Sequence, residues 1–213
     1  MDAAMLDAAI NALVTLLVVI DPIGLAPIFL ALTAGTAAAA RRRLAVRGIV
    51  IAAAVLLVFA LAGDAVLSFI GISMPAFRIA GGLLLFLTAL DMLFERRTER
   101  REKQGHEAEA TATDPSVFPL ATPLIAGPGA IATVILLMGQ HEGNIAGQAM
   151  VLGVLALVLG LTLVSLLMCG VLERALRRTG VLVVTRLLGM LLAALSVQFV
   201  LDGLAAYGMI AGR

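Results

Sequence analysis

Two clusters rich in proline and glycine interrupt apolar stretches and hold the residues best suited to chemistry. They read Asp21-Pro22-Ile-Gly24-Leu-Ala-Pro27 and Pro123-Leu-Ile-Ala-Gly127-Pro128-Gly129. Proline removes a backbone donor and glycine favours irregular backbone, so each cluster predicts an unwound or kinked helix. A helix that resumes after such a break directs backbone N–H groups and the positive end of its dipole at the gap. The clusters therefore predict binding of a carboxylate or another anionic group.

Polar side chains in or beside the clusters extend this candidate substrate site. Asp21 is a candidate partner for an ammonium group or for a coupling ion, H⁺ or Na⁺, while Thr122 and Thr133 can supply neutral hydrogen bonds. The alternative for the first cluster is an ordinary proline kink in which Asp21 caps the resumed helix. The predicted site comprises Asp21, Pro22, Gly24, Pro27, Thr122, Gly127, Pro128, Gly129 and Thr133.

The remaining residues give little support to other kinds of chemistry. His106 and His141 lie in predicted loops and form no ligand cluster, and Cys169 is the single cysteine, so we expect no metal site, disulfide or resident cofactor. HExxH and GxSxG motifs and an intramembrane pair of Asp residues are not found, which makes an enzyme the least favoured class. We expect no nucleic-acid partner.

The composition places both clusters in a membrane. Hydrophobic residues make up 62% of the 213 residues, charged residues make up 14%, and the mean hydropathy is +1.09. A soluble domain needs more polar surface than this, and one span takes about 20 apolar residues. The sequence thus predicts an all-α integral membrane protein with six transmembrane helices, at Ala8–Thr33, Gly48–Ile70, Ile72–Leu93, Val117–Met138, Ala149–Leu172 and Val181–Leu204.

Most of the fifteen Lys and Arg residues fall in alternate predicted loops. They are Arg41, Arg42, Arg43 and Arg47; Arg96, Arg97, Arg100, Arg101 and Lys103; and Arg174, Arg177 and Arg178. Basic residues accumulate in cytoplasmic loops, so this distribution predicts a multi-pass protein of the bacterial inner membrane with both termini outside.

A polar stretch divides the chain into two halves. Residues 95–116 have mixed charge and end near an Asp-Pro pair, which favours a flexible cytoplasmic linker, although such a stretch can also bind a partner. The predicted organisation is a first three-helix repeat at 1–94, the linker at 95–116 and a second three-helix repeat at 117–213.

Two pairs of motifs support an internal repeat. Arg78-Ile-Ala-Gly81 and Arg186-Leu-Leu-Gly189 are 108 positions apart, and Pro22 and Pro128 are 106 apart. Because each unit has three spans, the second must enter the membrane from the opposite side, with helices 1 and 4 broken in matching places. Inverted repeats of this kind are common among secondary transporters, which bind substrate between the repeats and rock one against the other.

Arg78 and Arg186 lie only a turn or two inside their spans, which leaves two interpretations open. Each can extend its side chain to the headgroups, or it can face a cavity or bridge helices.

These residues resemble the MarC family of bacterial inner-membrane proteins, which is grouped with small neutral amino acid transporters. The resemblance covers nearly the whole chain and is carried by Asp21-Pro-Ile-Gly-Leu-Ala-Pro27, Gly71-Ile-Ser-Met-Pro-Ala-Phe-Arg-Ile-Ala-Gly-Gly82, Pro119-Leu-Ala-Thr-Pro-Leu-Ile-Ala-Gly-Pro-Gly129, and Arg186-Leu-Leu-Gly189 with Val197-Gln-Phe199. It implies six spans and, for some members, transport of glycine, alanine and similar amino acids, with an ion gradient as a candidate driving force. Some members carry Asn in place of Asp21.

The predicted function is therefore secondary transport of small neutral amino acids by alternating access around broken helices 1 and 4. The expected partners are a small zwitterionic substrate and the lipid bilayer, and a homo-oligomer is compatible with this interpretation. The alternative is a non-transporting membrane scaffold or regulator that acts through the charged linker.

Overall fold

The computed structural model describes residues 3–94 and 114–208, and every element in this part of the chain is helical or irregular. The helices are α1 (Ala3–Ile20), α2 (Pro22–Leu32), α3 (Ala38–Ile70), α4 (Met74–Leu93), α5 (Pro128–Gly139), α6 (Ile145–Leu167) and α7 (Cys169–Ala206). A wound but irregular stretch, Ser116–Ile125, precedes α5 and is called the proline segment below. Most of the predicted linker, at 95–113, lies outside the described residues.

Five helical stretches are long and apolar enough to cross a bilayer. They are Ala3–Leu32, Ala38–Ile70, Met74–Leu93, Ile145–Leu167 and Thr179–Ala206. The proline segment and α5 form a sixth candidate span that is bent by 55°. The prediction of an all-helical integral membrane protein is thus confirmed, with five spans in the described residues, or six when the bent pair counts as one.

The predicted loops between spans one and two and between spans five and six are wrong in part, because much of each region is helical. Helix α3 begins at Ala38 rather than Gly48, so Arg41 to Arg47 lie on its first turns. Helix α6 ends at Leu167, and α7 begins at Cys169 and carries the next basic cluster. Neither 38–47 nor 171–178 contains Pro or Gly, and Ala, Leu and Arg favour helix, so the helices continue past the apolar windows.

Helices α1, α2 and α5 form the centre of the bundle. The α1–α2 span is 67% buried, whereas the windows of the other four spans are 22% to 33% buried. In α5, eight of twelve residues are buried. The α1–α2 span and α5 are therefore surrounded by α3, α4, α6 and α7, which expose apolar side chains on the outside of the bundle.

Helices α4 and α7 form an antiparallel pair with close backbone contact. A Cβ atom on Gly82 would lie 2.8 Å from the carbonyl oxygen of Ser196, and one on Gly189 would lie 2.9 Å from Cβ of Met92. At the end of α4 that starts with Met74, the Ser73 and Tyr207 hydroxyls are 2.7 Å apart. Small residues let membrane helices approach in this way, since van der Waals packing drives their association.

Candidate functional site

Asp21 is a single left-handed residue between α1 and α2. Its φ is 56° and its ψ is 66°, and the residue is 1% exposed. Its Oδ1 accepts a hydrogen bond from the Gly24 N–H at 3.0 Å, which caps the start of α2. Asp and Asn tolerate this backbone region better than other non-glycine residues, and both are good N-caps. The capping role considered for Asp21 is therefore present, and the residue lies at the buried centre of the bundle.

The other residues of the first cluster shape this interruption. Pro22 occupies the first position of α2 and has no N–H, so the Val18 carbonyl lacks its usual helical donor. A Cβ on Gly24 would overlap the Asp21 carboxylate, so a larger residue at position 24 would displace the side chain that caps α2. Pro27 lies inside α2 and is half-buried.

The second cluster follows a strongly irregular backbone. Phe118 and Thr122 are extended within the proline segment, with φ and ψ of −128° and 125° and of −130° and 126°. Each precedes a proline, which disfavours helical backbone at the residue before it, and both peptide bonds are cis. Gly127 is also extended and caps α5 with no side-chain hydrogen bond, and α5 begins at Pro128.

The hydroxyls of Thr122 and Thr133 bond to the backbone beside the second cluster. Thr122 Oγ1 donates to the Val117 carbonyl at 3.3 Å. Thr133 Oγ1, on a fully buried residue, donates to the Gly129 carbonyl at 2.8 Å. A Cβ on Gly127 would lie 2.5 Å from the Pro123 carbonyl oxygen, so only glycine fits the turn into α5.

The structure brings the two interruptions together. A Cβ on Gly129 would lie 3.5 Å from Cγ1 of Val19, two residues before Asp21. The same position is 3.6 Å from Cδ2 of Leu85 and 3.7 Å from Oγ1 of Thr88, so α4 completes the junction. Val19 and Gly129, 110 positions apart in the sequence, thus meet beside the two interruptions, while the assignment of the clusters to a substrate site stays a prediction.

Ser165 and Thr88 also lie at this junction, and neither is among the predicted site residues. Ser165 Oγ donates to the Pro22 carbonyl at 2.8 Å and so ties α6 to the start of α2. The signal for Ser165 was available, because Thr162 and Ser165 are isolated polar residues three positions apart in an apolar helix. Thr88 lacked such a signal, since its relevance depends on how α4 packs against α5.

Arg78 and Arg186 lie in different surroundings. Arg186 is exposed on α7. Arg78 is half-buried on α4, and its Nε atom is buried with no hydrogen-bond partner among the described residues. Arg78 is seven residues from Leu85, or about 10 Å along the helix, so it lies away from the junction.

Asp114 connects the end of the predicted linker to α3. Its Oδ1 accepts from the Ser116 hydroxyl at 2.6 Å and from the Ser116 N–H at 3.0 Å, while Oδ2 pairs with Arg47. The hydrogen bonds from Ser116 hold the pKa of Asp114 below its usual value, and the Arg47 charge acts in the same direction. This contact fixes the start of the proline segment against α3.

Comparison with known proteins identifies relatives along nearly the full length. A profile described as "MarC family integral membrane protein" matches residues 6–207. A UPF0056 membrane protein of Methanocaldococcus jannaschii is 36% identical over 187 residues, 87% of this chain and 90% of the relative. The UPF0056 inner membrane protein YhgN of Escherichia coli K12 is 36% identical over 200 residues, 93% of this chain and 97% of the relative. No solved structure matches.

These names describe membrane proteins and indicate no enzymatic activity. The name of YhgN places that relative in the inner membrane, which together with the apolar helices supports the predicted multi-pass inner-membrane location. The location of the termini stays a prediction.

Proposed function

We propose, from the premise that this chain belongs to the MarC family of integral membrane proteins, that it is a secondary transporter of small neutral amino acids such as glycine and alanine. The observation that carries this proposal is the meeting of the two interruptions, at Val19 and Gly129, inside the bundle. Irregular backbone at membrane depth is tolerated where it is buried in protein or lines a polar cavity, and transporters use such breaks to hold substrate.

The packing of the two halves supports an inverted repeat. Helix α3 contacts the proline segment and α5, and correspondingly α6 contacts α1 and α2. Helix α4 contacts α5, and α7 contacts α2. A pseudo-twofold relation between the halves produces such reciprocal pairs.

Contacts within the α4–α7 pair also support an inverted repeat. A Cβ on Gly82 would approach the Ser196 carbonyl, and a Cβ on Gly189 would approach the Ala89 carbonyl. Adding 107 to Gly82 and to Ala89 gives Gly189 and Ser196, so the two contacts correspond to each other at an offset of 107 residues, as a repeat requires. This register makes Thr185, rather than Arg186, the counterpart of Arg78.

The two resumed helices offer different chemistry to a zwitterion. Asp21 already caps α2, so its negative charge opposes a carboxylate there and favours an ammonium group. Helix α5 has no side-chain cap, and the N–H groups of Gly129 and Ala130 precede its first helical bond, which runs from Ile131 to Gly127. In the proposed complex the substrate carboxylate therefore binds at the start of α5, and its ammonium group lies toward Asp21.

Uptake by the reconstituted protein tests this proposal. The purified chain is placed in liposomes, and uptake of labelled glycine and alanine is measured with and without Na⁺ and H⁺ gradients. Gly24→Ala forces a methyl group onto the Asp21 carboxylate and should reduce uptake at least 10-fold. Gly153→Ala is the matched control, because a Cβ at Gly153 meets nothing within 4 Å.

Saturable uptake that is lost in Gly24→Ala and kept in Gly153→Ala supports the junction as the substrate site. Equal uptake by both variants would refute that site, and no uptake by the wild-type chain under any gradient would refute the substrate class. Deleting 97–110 should leave uptake unchanged, whereas the scaffold alternative requires that this deletion abolish the biological activity.

A further inference from the structure

We propose that Arg78 forms a second binding station on the transport path, where its guanidinium group holds the carboxylate of the substrate before the substrate reaches the central junction. This inference rests on the proposed function and assigns a residue to the approach of the same substrate. Arg78 lies near the start of α4, on the side of the membrane that the charge pattern places outside. The distance to Leu85, at the junction, is about 10 Å along α4.

Arg78 lies where two helices converge on α4. Three residues after it, a Cβ on Gly81 would lie 2.8 Å from Cδ1 of Leu136 in α5. Immediately after it, the backbone nitrogen of Ile79 is 3.2 Å from the Cβ position of Gly203 in α7. Arg78 therefore lies on the face of α4 between α5 and α7, and the residue is half-buried although its side chain carries a full charge.

The buried Nε atom of Arg78 is a charged donor without an acceptor among the described residues. Buried donors in proteins are almost always hydrogen-bonded, and an unpaired one within a membrane marks a place where a ligand or another polar group binds. Guanidinium is permanently charged and presents a planar fork of N–H groups that matches a carboxylate with two parallel hydrogen bonds. The acceptor that we assign to the Arg78 guanidinium group is thus an oxyanion.

Arg41 and Arg186, two other arginines among the described residues, lie in different surroundings from Arg78. Nε of Arg41 is also buried without a partner, but its Nη2 donates to the Thr33 carbonyl at 3.2 Å and so caps the end of α2. Arg186 is exposed, and the residue at the repeat position of Arg78 is Thr185. The position in the second half that corresponds to Arg78 therefore carries no guanidinium group.

Asp202 supplies the complementary charge for a zwitterion. It directly precedes Gly203, whose Cβ position is 3.0 Å from the Pro75 carbonyl oxygen, so Asp202 lies at the level of α4 where Arg78 is found. The Asp202 carboxylate accepts a hydrogen bond from Gln198 at 2.7 Å and retains acceptor capacity for an ammonium group. A small amino acid bound by its carboxylate to Arg78 would have its ammonium group on the Asp202 side.

Competition binding separates the carboxylate from the ammonium group. The purified full-length protein, in nanodiscs of phosphatidylcholine alone, is titrated with labelled alanine and competed with propionate, which has only the carboxylate, and with alaninamide, which has only the ammonium group. Arg78→Gln should weaken alanine binding at least 10-fold and reduce competition by propionate to the part that the start of α5 provides, while competition by alaninamide stays unchanged. Arg78→Lys should recover part of the loss, and Arg42→Gln, on an exposed residue, should match the wild type.

A lipid phosphate is the other source of an oxyanion at this level of the membrane. Retention of phosphatidylglycerol is therefore measured by native mass spectrometry on the same variants. If Arg78→Gln loses bound phosphatidylglycerol and binds alanine normally, the occupant is a headgroup and the proposal is overturned. Unchanged alanine binding and unchanged lipid retention would overturn it as well.

Failure of the proposed amino acid transport can be distinguished from failure of the Arg78 site. If the wild-type chain neither binds nor transports alanine, the substrate assignment fails, and Arg78 is then tested with propionate alone as a thermal stabiliser at constant ionic strength. Stabilisation of the wild type and of Arg78→Lys but not of Arg78→Gln supports an oxyanion site that serves another substrate. Stabilisation of all three variants to the same extent, or of none, overturns the site.

Discussion

Substitutions of Asp21 can separate its structural role from its proposed role in transport. The residue combines a left-handed backbone, a capping hydrogen bond to Gly24 and an ionisable carboxyl group in a buried position. Asp21→Asn keeps the first two properties and removes the ionisable group. Asp21→Gly keeps only the backbone conformation, and Asp21→Ala keeps none of the three.

The stability order follows from these properties. Alanine in the left-handed region costs about 1–2 kcal/mol. Loss of the cap leaves the Gly24 N–H without its acceptor and costs about 1 kcal/mol. Asp21→Ala should therefore lower the free energy of unfolding by about 2–3 kcal/mol, Asp21→Gly by about 1 kcal/mol, and Asp21→Asn by less than about 1 kcal/mol.

Two assays on the same preparations test this reasoning. Unfolding of the detergent-solubilised variants, followed by circular dichroism, gives the stability order, and uptake of labelled alanine in liposomes gives transport. If Asp21 holds the substrate ammonium group or a coupling cation, Asp21→Asn should be stable and should transport at least 10-fold more slowly. An alanine variant as stable as the asparagine variant would refute the conformational argument, and full transport by Asp21→Asn would refute the role of the charge.

The remaining predictions concern packing, a buried hydrogen bond and pH. Gly82→Ala should lower the free energy of unfolding by about 1–3 kcal/mol, because the new methyl group meets the backbone of α7. Gly153→Ala should be neutral or stabilising by up to about 1 kcal/mol, and equal effects of the two substitutions in denaturant titrations would contradict this. Ser165→Ala should cost about 1 kcal/mol through loss of the hydrogen bond to the Pro22 carbonyl, and a double-mutant comparison with Asp21→Gly should show coupling at the junction. The pKa of Asp114 lies below its usual 3.8, so the contribution of its carboxylate to stability should be fully present above about pH 5 and should decrease as the pH falls through the folded-state pKa. In thermal unfolding, the stability difference between the wild type and Asp114→Asn should therefore shrink toward pH 2.

Hydropathy and charge were sufficient to predict the helical membrane fold because they act over whole spans. Each span needs a long apolar window, and the windows from Ile72 to Leu93 and from Gly48 to Ile70 agree with helices α4 and α3 at their carboxyl ends. Helix ends beyond the apolar windows were not predictable in the same way. The first turns of α3, which hold Arg41 to Arg47, follow from helix propensity, and this acts independently of hydropathy.

The candidate site was predictable as two separate clusters, whereas their geometry was not. Pro22 and Gly127 signal irregular backbone by residue type alone, since one lacks a donor and the other lacks a Cβ atom. The left-handed conformation of Asp21 depends on its local cap, and the contribution of Thr88 depends on the packing of α4 against α5. The contact of Thr88 with α5 joins distant parts of the chain and has no periodic signature in the sequence.

In the inverted repeat that we propose, the two halves carry different chemistry at matching positions. Asp21 and Gly127, 106 positions apart, both cap a resumed helix, yet one brings a carboxylate and the other leaves the helix end open. Arg78 and Thr185, 107 apart, occupy the same place in the α4–α7 pair, and one of them is charged. A symmetric pair of breaks would present two equal sites to a substrate with two unlike charges. In the complex that we propose, the differences between the halves instead give the zwitterion one orientation at the junction, with its carboxylate toward α5 and its ammonium group toward α2.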